Sequence, residues 1–106
     1  DQFDCVMQTR LGRHGTALTS TGRFQAKAAR KAEHDDPHDA TCPCEVCARQ
    51  IRGYIRHLLQ VGEPTESRLL SVHNVAWSID LMTSMRSAIR AGTFDELRRT
   101  VLDVWG

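Results

Sequence analysis

The stretch TCPCEVC, residues 41–47, sets Cys42, Cys44 and Cys47 in a Cys-x-Cys-x-x-Cys array that limits the fold more than any other feature of the chain. One tight loop can aim three sulfurs at a common point. A disulfide between Cys42 and Cys44 would close a strained small ring, and one between Cys42 and Cys47 would leave Cys44 over. Metal ligation uses all three, and four free thiols in a reducing compartment is the alternative. Zinc takes four N or S ligands in a tetrahedron, so the array is one short. Cys5, His34, His38, His57 and His73 are the candidates for the fourth place.

His34 and His38 lie in ARKAEHDDPHDAT, a polar, acidic run broken by Pro37 that reads as a surface loop leading to the array. His73 follows Cys47 after 25 intervening residues and returns to the array if two helices pair antiparallel through VGEPT. At about 1.5 Å per residue, a helix starting at Cys47 would overshoot the return. The first helix must therefore start later, near Gln50, or the two must cross obliquely. Spacing alone leaves His73 and the loop histidines both open.

Elsewhere the periodicity is informative. QFDCVM alternates and reads as a strand, QTRLGRHG as a loop built on Gly12 and Gly15, and TALTSTGRFQAKA as a β-hairpin with Gly22 at a positive-φ position. Ile51, Tyr54, Ile55, Leu58 and Leu59 form one buried helix stripe ended by Gly62 and Pro64. A second helix, over 65–91, carries Leu69, Val72, Ala76, Ile79, Met82 and Met85 at helical spacing and stops at Gly92. Thr93 and Glu96 form a capping-box signature for a third, running toward Trp105.

The 106 residues suffice for one modest core, not for a complete large enzyme. No apolar run approaches the roughly 18 residues of a membrane span, so the chain is expected to be cytoplasmic, with no membrane partner. The net charge of +1 is uneven. Arg10, Arg13, Arg23, Lys27, Arg30 and Lys31 outnumber Asp1 and Asp4, and Glu33, Asp35, Asp36, Asp39 and Glu45 follow without a basic residue among them. A basic strip beside an acidic one suits a phosphate-bearing partner, although charge runs also serve simply as solvated surface.

Two separate stretches resemble the tRNA-guanine transglycosylase (queuine/prequeuosine tRNA-ribosyltransferase) family. FDCVMQTRLGRHG is similar to its F-D-C-V-x-P-T-R-x-G-R-x-G segment, and CPCEVC followed by HN is similar to its zinc motif. LTSTGRFQAKA, YIRHLL, LLSVHN and LMTSMRSAIRAGTF agree in order, so the resemblance covers essentially the whole chain and only the C-terminal part of a longer family pattern. Gln8 stands where proline is usual, His14 where asparagine is common and Ile51 where serine is usual.

The resemblance implies an α/β fold, the C-terminal part of a (β/α)8 TIM barrel with a zinc-binding insertion, α+β if taken alone. Residues 1–15 would be a late barrel strand with a catalytic and anticodon-contact loop, 16–74 the hairpin and zinc-binding subdomain, and 75–106 C-terminal barrel helices. It implies exchange of the wobble guanine of tRNA for a 7-deazaguanine base, with Asp4 as nucleophile, Arg10 and Arg13 on the anticodon loop, and Cys42, Cys44, Cys47 and His73 on a structural zinc. Without it, Asp4 is an ordinary strand-end acid and Cys5 a small buried side chain. The family's general acid and deazaguanine pocket precede this stretch, so the chain alone is expected to be inactive, and the whole enzyme a homodimer. The alternative is a standalone zinc-nucleated RNA-binding or protein-interaction module without catalysis.

Overall fold

The computed structural model describes residues 4–25, 44–49, 52–62 and 64–106. The order of elements is α1 (Met7–Arg13), β1 (Thr16–Thr19), β2 (Gly22–Gln25), α2 (Glu45–Arg49), α3 (Arg52–Gln60), α4 (Thr65–Ala91) and α5 (Phe94–Trp105). Helices α1, α2, α3 and α5 and strand β1 all pack on α4. At about 1.5 Å per residue, this 27-residue helix is about 40 Å long and serves as the mount for the rest.

Both ends of α4 follow from the sequence. Pro64, at φ −60°, occupies the N-cap position with a backbone already helical. Gly92 takes φ 75°, a left-handed conformation that glycine adopts without steric cost. Its N–H reaches Ile89 O at 3.3 Å while the Thr93 N–H reaches Ala88 O at 2.8 Å, a Schellman closure. Helix α5 starts directly after it, but no capping box forms: Thr93 makes no side-chain cap bond. Its N–H is already committed to Ala88 and its ψ is 20° instead of extended, so neither half of the reciprocal pair can assemble.

The hairpin forms as expected, antiparallel with Thr19 opposite Gly22 and Leu18 opposite Arg23. Gly22 takes φ 114° after a two-residue turn, and the Thr19 hydroxyl donates to Gly22 O at 2.7 Å. All four residues of β1 are buried. Ala17, Phe24, Ile55 and Leu70 form one core cluster, Cys44, Val46 and Cys47 a second, and Leu69 packs against both.

Three expectations change. Asp4–Val6 has no regular structure and Met7–Arg13 is a helix, where a strand and then a loop were expected. A strand needs a neighbour, and the sheet among the described residues holds only β1 and β2. The helix is held by packing on α4, for Gly12 is buried against it: a Cβ there would lie 2.8 Å from the backbone N of Ser71. On the expected stripes, Tyr54, Val72 and Ile79 are exposed, and the most deeply buried positions of α4 are Leu70, His73 and Asn74.

Candidate metal centre

Cys44 directly precedes α2, where its carbonyl accepts the Ala48 N–H at 3.1 Å, and Cys47 lies within that helix. The Cys47 N–H points at Cys44 Sγ, 3.4 Å away, so the first turn draws both sulfurs to one side. His73 enters from α4. Its Nδ1 lies 3.3 Å from Cys44 Sγ and 3.2 Å from Cys47 Sγ, and the three ligand atoms fall within 4.8 Å of one another.

Helix α3 climbs about 13 Å over its nine residues and α4 returns about 12 Å over the eight steps from Thr65 to His73. The histidine comes back level with the cysteines.

These atoms fit zinc. Tetrahedral Zn–S and Zn–N bonds put sulfur and nitrogen ligands about 3.5 Å apart, close to the separations here. The other imidazole nitrogen is spoken for: Nε2 lies 2.8 Å from Leu18 O, so a metal on Nδ1 leaves the proton on Nε2 to be donated to that carbonyl. His73 is fully buried, Cys44 and Cys47 nearly so. Such a site, closed off from solvent by protein, suits a structural ion. Cys42, His34 and His38 lie outside the described residues.

Asn74, the next residue, was not singled out by the sequence reading. It is fully buried, its Oδ1 accepts the Leu18 N–H at 2.8 Å, and its Nδ2 donates to Thr16 O at 2.9 Å and Gln8 O at 3.0 Å. A lone asparagine inside the apolar run LLSVHNVAW was the available signal, since a buried amide must find partners.

Asp4 is exposed, three positions before α1, and Arg10 and Arg13 are exposed on that helix. The buried Gly12 marks the side of α1 that meets α4, so the arginines are left to solvent. Cys5, expected to be buried, is exposed, with its Sγ accepting the Met7 N–H at 3.3 Å. It lines an open depression of about 540 Å³ with Gln8, Val75, Ile79 and Met82, and no described element covers it.

No described helix is long and apolar enough to cross a membrane. The family model described as queuine tRNA-ribosyltransferase matches residues 1–106. A queuine tRNA-ribosyltransferase of Thermotoga neapolitana is 44% identical over 105 residues, 99% of this chain and 28% of that protein. One from Anoxybacillus flavithermus is 42% identical over 106 residues, 100% of this chain and 28% of its own length. The chain thus spans little more than a quarter of the curated relatives it matches. With a family match from end to end, and a Cys/His cluster closed by its fold, the chain belongs to the queuine tRNA-ribosyltransferase, or tRNA-guanine transglycosylase, family.

Proposed function

We propose that these residues are the C-terminal, zinc-binding portion of a tRNA-guanine transglycosylase. The observation that carries this is the convergence of Cys44, Cys47 and His73 in a chain matching the family throughout. Residues 1–15 supply the reacting segment of a TIM barrel, 16–74 the zinc subdomain, with Cys42 as fourth ligand, and 75–106 closing helices. The ion holds α2 to α4 and takes no part in the chemistry. A tRNA substrate goes with a cytoplasmic enzyme, which the family resemblance makes a homodimer.

Asp4 is the nucleophile. Its carboxylate attacks C1′ of the wobble nucleoside, the C1′–N9 bond breaks, and the bond pair leaves with guanine, which takes a proton from a general acid outside this stretch. The covalent ribosyl ester is then displaced by N9 of the incoming 7-deazaguanine as that nitrogen gives up its proton. Two inversions retain the configuration. The exposure of Asp4 supports this role, since a nucleophile must be reachable. Arg10 and Arg13, exposed on the helix that follows, suit phosphate oxygens and base edges of the anticodon loop. The general acid and base pocket belong to other parts of the enzyme, so the chain alone turns nothing over.

The test is a covalent trap: the chain within a complete transglycosylase, incubated with tRNA and denatured, should carry tRNA, and Asp4→Asn should abolish the adduct. An adduct that persists in Asp4→Asn removes Asp4 from this role.

A further inference from the structure

Asn74 joins three parts of the molecule that the proposed reaction needs to keep together. It sits beside His73 on α4, and its side chain reaches both β1, at Leu18 N–H and Thr16 O, and the first turn of α1, at Gln8 O. Gln8 is four residues from Asp4. Both amide protons are used, and because the Leu18 N–H can only donate, the oxygen must face it. No other side chain of this size offers two donors and an acceptor. One turn further along α1, Gly12 rests on Ser71, one turn back along α4. Helix α1 is therefore fixed on α4 at two points, a polar one at Gln8 and a steric one at Gly12, and cannot slide or roll while both hold.

We propose that Asn74 is a positioning residue for the transfer reaction: it locks the segment carrying Asp4, Arg10 and Arg13 to the helix that carries the metal ligand His73. This rests on the reading of Asp4 as nucleophile. A nucleophile must sit within a fraction of an ångström of its attack geometry, and a shift of about 1 Å at such a group costs on the order of 100-fold in rate.

Asn74→Asp has the same shape but turns both donors into acceptors facing the Gln8 and Thr16 carbonyls. The comparator is Leu70→Ala, which removes a fully buried side chain of the Ala17, Phe24 and Ile55 cluster one turn back on α4. Each is made in the chain as it stands and in a complete transglycosylase, and three quantities are read: bound zinc, hydrogen exchange over residues 7–19, and the single-turnover rate of adduct formation at saturating tRNA. Asn74→Asp should keep its zinc, exchange faster over 7–19 and form the adduct about 100-fold more slowly. Leu70→Ala should lose stability while holding the adduct rate within a few-fold.

Unchanged exchange in Asn74→Asp overturns the proposal, as does an adduct rate that falls equally in Leu70→Ala. If Asn74→Asp loses its zinc, Asn74→Gln, with the amide one methylene further out, carries the same comparison. An unaltered enzyme that forms no adduct overturns the functional reading instead, and the exchange measurement then decides the coupling by itself.

Discussion

Replacing Gly12 by alanine sets two effects of opposite sign against each other. In a helix, alanine is favoured over glycine by up to about 1 kcal/mol, so propensity alone predicts a more stable protein. The packing predicts the reverse. A Cβ at this position would stand 2.8 Å from the backbone N of Ser71, 2.8 Å from its Oγ and 3.0 Å from its Cα. The hydroxyl can rotate away, but two of the three atoms belong to the main chain of α4 and move only if a helix moves. Overpacking of this kind costs about 1–3 kcal/mol. The net effect expected is a loss of roughly 1–2 kcal/mol, which for a domain of this size lowers the melting temperature by about 5–15 °C. Thermal melts followed by helical circular dichroism, in excess zinc, measure it. The double variant Gly12→Ala/Ser71→Ala distinguishes the cause: it removes only the hydroxyl, so it should melt no more than marginally above Gly12→Ala. A single variant melting at or above the unaltered protein would refute the contact as the reason for glycine, and a full rescue by Ser71→Ala would place the clash on the side chain alone.

Zinc should bind at about one ion per chain, and Cys44→Ser or a strong chelator should lower the melting temperature, as expected where metal binding is coupled to folding; metal-free protein melting unchanged would remove the ion from the fold. Arg10→Ala and Arg13→Ala should each weaken tRNA binding and reduce the salt dependence of the association constant by about one charge, read from titrations at several ionic strengths. An unchanged salt slope would place both side chains away from the phosphates.

The hairpin and α4 were legible because local chemistry sets them. Gly22 must take its positive φ, Gly92 must end a helix, and both do so whatever surrounds them. The pairing of His73 with Cys44 and Cys47 was open from spacing and followed from the family resemblance, and the approach of His73 Nδ1 to both sulfurs supplies the geometry that spacing lacked. Helix α1 was not legible. Seven residues are too few to form a stable helix alone, and QTRLGRHG looks like a glycine-rich loop until Ser71 of α4 is brought against Gly12. Asn74 was hidden for the same reason, since all its partners are main-chain atoms 56–66 positions away in sequence. The third miss, the side-chain cap at Thr93, came from reading a local motif where the preceding helix had already claimed the N–H.

The grip of His73 and Asn74 on β1 bears on how the protein would fail. Strand β1 pairs with β2 along one edge; along the other, Thr16 O, Leu18 N–H and Leu18 O meet Asn74 and His73 side chains. Two consecutive side chains of a helix thus stand where a third strand would otherwise pair. Remove them and a short, otherwise buried strand offers free backbone groups, a template for joining another chain. The residue that holds the metal, with its neighbour, is therefore also a guard against self-association, so damage to this pair should show as aggregation at concentrations where ordinary core defects merely unfold the molecule.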